Sequence, residues 1–302
     1  MKNGSNIRGV IPPAVTPFDA HGEIDFALFR DHLRFLLNAG VHGIGVAGST
    51  GEGPSLDPDE LASLVSMAND TAAGEVPVIA GIMAESTREA VRLARIAVDT
   101  GADALLVTPV RYSGATHEEN LGYFRAITEA VQVPLIIYNV VPTNLIDVDT
   151  AVALVGFDRV VGIKQVDAAA LGLMVSAFGE TGHVYSACDS LLYSTYTAGA
   201  IGCIAAIATV CPELCVKQWN AYLAGEHKVA TDIQFQLAPV VRSYMNRPFP
   251  AKVKYAMKCR GLEVGYARAP LHEPGEQEKK MIADAVQGIP LEGVENSSLT
   301  DS

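Results

Sequence analysis

The chain has 302 residues, 49% of them hydrophobic, and a formal net charge of −12. Such length and apolar content sustain one large core, or one domain with an appendage, and no apolar run nears the ~18–20 residues of a membrane span. The acidic balance argues against a general nucleic-acid partner, because phosphate binding needs clustered Lys and Arg.

Met1-Lys2-Asn3-Gly4-Ser5 leads into a strand-like stretch without the apolar core of a signal peptide, so a cytoplasmic protein is expected. Residues 9–15 read as strand and 26–37 as helix. Further strands are expected at 42–47, 76–81, 104–108, 134–139, 160–164, 183–187 and 202–206. Helical periodicity fills the gaps at 58–72, 87–100, 118–131, 149–155, 168–178 and 191–198. The strands are short, rich in Val, Ile and Leu, and lack polar alternation, as in a parallel sheet buried on both faces. Eight such strand–helix units predict a (β/α)8 barrel. A doubly wound sheet is the runner-up, but no glycine-rich dinucleotide fingerprint follows the first strand.

Beyond about Glu213 the pattern turns all-helical, through 226–246, 251–260 and 277–288. The expected division is a barrel carrying the active site over residues 1–225 and a C-terminal helical region over 226–302, whose polar end, 292–302, is expected to fray. Asp57-Pro58-Asp59-Glu60 supplies an N-cap, a proline at N1 and first-turn acids. Ser86-Thr87-Arg88-Glu89 reads as a capping box, and Gly40 and Gly101 as C-terminal caps.

The five cysteines, Cys188, Cys203, Cys211, Cys215 and Cys259, form no CxxC motif, and the seven histidines form no HExxH motif. Buried free thiols in a reducing compartment are expected, and no catalytic metal.

Barrel enzymes build their sites at the C-terminal ends of the strands. Val160-Val161-Gly162-Ile163-Lys164 ends a buried strand on a lysine, where desolvation disfavours the ammonium form. Such a lysine finds a carboxylate, snorkels to solvent, or loses its proton and becomes a nucleophile towards carbonyls. The adjacent strand ends on Tyr138-Asn139. A lone tyrosine there would usually be packing; one strand from an amine nucleophile it becomes a proton shuttle. Strand two leads into Gly48-Ser49-Thr50-Gly51-Glu52-Gly53, a glycine-rich turn with adjacent hydroxyls. The following helix is capped at Asp57, so this turn is free to cradle a carboxylate.

The set Gly48-Ser49-Thr50-Gly51-Glu52, Tyr138-Asn139 and Gly162-Ile163-Lys164 resembles the dihydrodipicolinate synthase / N-acetylneuraminate lyase family. So do Pro13-Ala14-Val15-Thr16-Pro17-Phe18 and, late in the chain, Gly261-Leu262 with Arg268-Ala269-Pro270-Leu271. The resemblance, over about residues 8 to 275, implies a (β/α)8 barrel with a helical C-terminal appendage, assembled as a homotetramer or dimer. It also implies a class I lyase or aldolase that joins a lysine to pyruvate or another 2-keto acid as a Schiff base. The C–C bond made or broken is then to an aldehyde, with no cofactor beyond the covalent imine on Lys164. Tyr138 resembles the proton-moving tyrosine. Ser49 and Thr50 resemble the pair that binds the keto-acid carboxylate, Ser49 also passing protons to the tyrosine. Tyr112 resembles a tyrosine donated into a neighbouring subunit's site, Ile204 the residue whose carbonyl lies near the substrate, and Ala187 stands where the family usually has glycine.

Two departures matter. Family members that use aspartate semialdehyde place an arginine after the Tyr-Asn-Val-Pro run, whereas Tyr138-Asn139-Val140-Val141-Pro142-Thr143-Asn144-Leu145 has an extra residue and no arginine. Where lysine-inhibited members have an Asn and a tandem Tyr-Tyr, Glu85 and Arg111 stand here, which argues against lysine feedback. Poor use of aspartate semialdehyde and better use of a neutral, hydroxylated or apolar aldehyde are therefore expected. A 2-keto-3-deoxy sugar acid dehydratase using the same imine is the alternative, and a non-catalytic 2-keto-acid-binding protein is the remote one.

Overall fold

The computed structural model describes residues 7–289. Its strands are β1 (Gly9–Val10), β2 (Ile44–Val46), β3 (Val78–Ile82), β4 (Ala104–Val107), β5 (Leu135–Asn139), β6 (Val160–Gln165), β7 (His183–Ser186) and β8 (Gly202–Cys203). All pair in parallel, each with the next in sequence from β2 to β8, and β8 pairs with β1. A parallel bridge between Pro13 and Gly45 joins the chain just past β1 to β2 and closes the ring. The Ala14 N–H donates to the Gly45 carbonyl at 2.7 Å, and the Gly45 N–H to the Pro12 carbonyl at 2.9 Å. The architecture is the (β/α)8 barrel that the alternation predicts. Strand β1 is shorter than residues 9–15 because Pro12 and Pro13 have no N–H to give to a ladder.

The barrel-side helices are α1 (Phe26–Asn38), α2 (Pro58–Ala72), α3 (Thr87–Asp99), α4 (His117–Ala130), α5 (Val148–Val155), α6 (Ala168–Phe178), α7 (Leu192–Thr197), α8 (Ile207–Val210) and α9 (Pro212–Leu223). Helix α1 shows why these segments coil. The Asp25 carboxylate caps the N–H groups of Ala27 and Leu28, and Phe29, Leu33 and Leu36 are buried at helical spacing. Asp57 and Glu60 form a reciprocal capping box at α2. At α3 only half of the expected box is present. Ser86 accepts the Glu89 N–H, but the Glu89 carboxylate turns to Arg92 at 3.3 Å. The short α8 is absent from the sequence reading, because four residues are too few for periodicity to register.

Helix α9 packs against β1, and α10 (His227–Tyr244), α11 (Phe249–Cys259) and α12 (Glu276–Gln287) pack on one another beyond it. Helix α10 also reaches the 3-10 turn Asp189–Leu191 that follows β7, which brings the C-terminal region to the strand ends. The expected frayed end, 292–302, lies outside the described residues. Among the described residues no helix is long and apolar enough to cross a membrane. All five cysteines are free; four are buried, and Cys259 is half-buried.

Candidate active site

Parallel register sets the centre of the site. Tyr138 on β5, Lys164 on β6 and Tyr185 on β7 are in-register neighbours. Ile136 and Tyr138 belong to the cluster inside the barrel, whereas Leu135 and Ile137 face the helices, as period-2 alternation requires. Strand β6 breaks that alternation. Val160 packs outward, Val161 inward and Ile163 outward again, and the pairing with β5 slips between Leu135 and Ile136. The slip turns Lys164 to the same side as Tyr138; an unbroken alternation would send it out among the helices. Gly162 sits at the irregularity, where a Cβ would lie 2.2 Å from the His183 carbonyl oxygen. The strand continues one residue past Lys164, to Gln165.

Lys164 is only 5% exposed. Its Nζ lies 3.8 Å from the centroid of the Tyr138 ring. The Tyr138 hydroxyl donates to Ser49 Oγ at 3.1 Å. The amine thus lies over the phenol ring, and the phenol hydroxyl reaches the alcohol. The other two buried lysines are ion-paired, Lys252 with Glu278 and Lys254 with Glu52, both at 2.6 Å. Lys164 makes no ion pair among the described residues.

Ser49 and Thr50 sit in a turn built from unusual backbone. Ala47 and Glu52 both have positive φ, 55° and 57°. Non-glycine residues adopt that conformation only where the surroundings enforce it. A Cβ on Gly53 would lie 2.0 Å from the Ala47 carbonyl oxygen, so the turn closes on itself only with glycine there. Thr16 Oγ1 donates to the Gly51 carbonyl at 2.7 Å. The Glu52 carboxylate accepts from Lys254 Nζ at 2.6 Å and from the Arg268 N–H at 2.9 Å. Sequence reading gave Glu52 no role, and its partners lie more than 200 residues away.

A cavity of about 610 Å³ opens at these strand ends, and Ser49, Thr50, Tyr138, Lys164, Ala187 and Ile204 all line it. Six of the seven expected site residues are therefore brought together. Asp189 also lines it, without an assigned role from the sequence. Its carboxylate accepts the Ile207 N–H at 2.6 Å and the Tyr244 hydroxyl at 2.8 Å, tying the turn after β7 to α8 and α10. Burial raises its pKa, while these two donors and the Lys164 charge pull it back. The Cys188 thiol, also on the lining, contacts the Val166 carbonyl at 3.2 Å. Burial pushes it up to about 11, so it stays protonated and is no nucleophile at neutral pH.

Tyr112, the seventh expected residue, does not line its own chain's cavity and is 93% exposed. Its backbone N–H donates to Glu85 Oε2 at 3.0 Å, as does that of Arg111. Arg111 Nε is 2.6 Å from the other Glu85 oxygen. The loop carrying Tyr112 is further held by Asn144 Nδ2 on the Val110 carbonyl, at 3.0 Å, and by the Thr143 hydroxyl on the Arg111 carbonyl. Arg111, whose carbonyl accepts from Thr143, is thus engaged by Glu85 and absent from the cavity lining.

A model of the dihydrodipicolinate synthetase family matches residues 6–289. A 4-hydroxy-tetrahydrodipicolinate synthase of Methylobacterium radiotolerans is 35% identical over 288 residues, covering 94% of this chain and 96% of that one. Among solved structures, a dihydrodipicolinate synthase of Bacillus anthracis superposes with a TM-score of 0.90 at 31% identity, covering 94% and 98% of the two chains. The chloride-inhibited dihydrodipicolinate synthase of Acinetobacter baumannii, solved in complex with pyruvate, gives 0.88 at 30% identity, covering 93% and 98%.

Proposed function

Because the chain belongs to the dihydrodipicolinate synthetase family and is a lyase, we propose that it makes or breaks a C–C bond in a 2-keto acid held as an imine on Lys164. The observation that carries this reading is Lys164 itself. It is buried with no ion pair among the described residues, its amine lies over the ring of Tyr138, and the Tyr138 hydroxyl reaches Ser49. The other two buried lysines are bound to carboxylates, whereas the Lys164 nitrogen faces the cavity, where a carbonyl can reach it.

In the proposed sequence the Lys164 amine adds to the keto carbon of pyruvate or a related acid. The resulting alcohol takes a proton from Tyr138 and leaves as water, giving the iminium. The Tyr138 phenolate then takes a proton from the adjacent methyl, and that electron pair moves into the C–C bond as an enamine. The enamine carbon adds to an aldehyde carbon, and Tyr138 returns the proton to the new alkoxide. Water then hydrolyses the imine, releasing a 4-hydroxy-2-keto acid and the free amine. Run backwards, the same steps cleave that acid. Ser49 passes protons to Tyr138 and, with Thr50, holds the keto-acid carboxylate so that the keto carbon faces Lys164. Ile204 and Ala187 bound the space beside the reacting carbons. The imine is the electron sink, so the reaction needs no metal or organic cofactor. The aldehyde lacks a carboxylate, because the cavity lining holds no arginine to pair with one. Both reactants are small and water-soluble, in keeping with a cytoplasmic enzyme.

Enamine formation alone tests this reading, without a second substrate. In D2O the protein is expected to exchange the methyl protons of pyruvate for deuterium, followed by NMR. Lys164→Arg is expected to abolish exchange while leaving the fold intact, since a guanidinium does not deprotonate. Tyr138→Phe is expected to slow it by about 10²–10⁴-fold. Exchange that persists in Lys164→Arg would refute the assignment.

A further inference from the structure

Much of the cavity lining has no part in holding the keto acid and is left to meet the second substrate. Besides Lys164 the charged residues on the lining are Asp167 and Asp189, and both carboxylates are already engaged. Asp167 caps the Ala169 N–H at 2.9 Å, and Asp189 holds the Ile207 N–H and the Tyr244 hydroxyl. Two negative charges and no spare positive one disfavour an acidic aldehyde. A polyhydroxylated chain fares little better, because it needs unused donors and acceptors along its length. With the Cys188 thiol turned to Val166, and Ser49, Thr50 and Tyr138 serving the keto acid, Ser190 is the one remaining side-chain hydroxyl on the lining.

What the lining offers in quantity is apolar surface. Val166, Leu191 and Met245 line the cavity and yet are 39%, 43% and 53% exposed, and Phe249, on the same lining, is half-buried. Large apolar side chains gathered at the mouth of a site are left wet until something covers them. The cavity, at about 610 Å³, is also far larger than a three-carbon keto acid fills.

We propose that the second substrate is an uncharged aldehyde bearing an alkyl or aryl chain, seated against Val166, Leu191, Met245 and Phe249. This rests on the assignment of Lys164 as the imine-forming residue. The enamine carbon adds to the aldehyde carbon and gives a 4-hydroxy-2-keto acid substituted at C4 by the chain. In the cleavage direction the same bond breaks and the aldehyde leaves over the apolar rim.

The test is steady-state kinetics at saturating pyruvate with benzaldehyde, hexanal, glyceraldehyde and aspartate semialdehyde. Either apolar aldehyde is expected to exceed both polar ones in kcat/KM by roughly tenfold or more. Met245→Arg and Leu191→Arg, at exposed positions that tolerate the change, are expected to lower the value for benzaldehyde and raise that for the semialdehyde. A preference for glyceraldehyde or the semialdehyde in the unaltered protein overturns the inference, as do unchanged ratios in both variants. Borohydride trapping of pyruvate in the same preparation separates the two levels of the argument. If the adduct forms but a polar aldehyde is preferred, the inference on the chain fails and the imine stands; if no adduct forms, both fail.

Discussion

Lys252 and Lys254 are as buried as Lys164, and their surroundings set the three apart. Lys254 Nζ donates to the Thr16 carbonyl and to Glu52, both at 2.6 Å, and burial still brings its pKa down to about 8. It is locked in place by its acceptors, whereas Lys164 faces a phenol ring and an open cavity. Lys164 stands out in the sequence because a lysine ending an apolar run is a local signal. The sequence could not sort the three, because the carboxylates that neutralise the other two arrive from elsewhere in the chain. His32 was equally illegible. Its Nε2 accepts the Val15 N–H at 3.2 Å, and Nδ1 has no hydrogen-bond partner among the described residues. Burial, aided by the Lys254 charge, lowers its pKa from 6.5 to about 3. Between those values the unfolded chain binds a proton that the folded one refuses, so stability falls as pH drops from 6.5 towards 3. The full loss is on the order of 5 kcal/mol. Denaturant midpoints measured across that range should flatten in His32→Gln, and an unaltered pH slope there would contradict the assignment.

At the scale of elements, strands and helices were legible because periodicity is local, while their joints were not. The slip in β6 that aims Lys164 at Tyr138 leaves no mark in Val160-Val161-Gly162-Ile163 beyond the glycine. The turn after β2 could be read as a free cradle from Asp57 capping α2. Its anchor, Glu52 on Lys254 and Arg268, depends on a contact across the whole barrel. Removing one partner of a buried pair leaves the other charge uncompensated. Glu52→Gln is therefore expected to destabilise the protein by about 3 kcal/mol and to raise KM for pyruvate, since Ser49 and Thr50 ride on the same turn. Thermal unfolding and steady-state kinetics together check it; a loss of stability with unchanged KM would mean that the turn keeps its shape without the anchor.

The whole molecule poses a question that one chain leaves open by its own geometry. Tyr112 projects from a loop whose backbone is tied to Glu85, Thr143 and Asn144, and its ring is left 93% exposed. Nearby Leu145 is 59% exposed as well. Exposed apolar surface of this kind suits burial against a second copy, and the expectation that Tyr112 completes the partner's proton relay can be tested there. Tyr112→Phe is expected to lower kcat with little change in KM. Mixing it, under subunit exchange, with inactive Lys164→Arg protomers should restore part of the activity, because the Lys164→Arg chain would supply the missing phenol. No recovery in exchanged oligomers would place Tyr112 outside the relay. The barrel itself was legible from eight alternating units, and its closure through Pro13 and Gly45 follows the same topology. The approach of α10 to the active-site turn was not legible, because the Tyr244 hydroxyl and Asp189 meet only in the folded chain.

The central claim, that Lys164 alone carries the reacting carbonyl, is tested most directly by treating the protein with pyruvate and borohydride and mapping the modified peptide by mass spectrometry. The account requires one reduced pyruvate adduct per chain, on the peptide containing Lys164 and absent from Lys164→Arg. An adduct on Lys252 or Lys254, or no adduct at all, would contradict it.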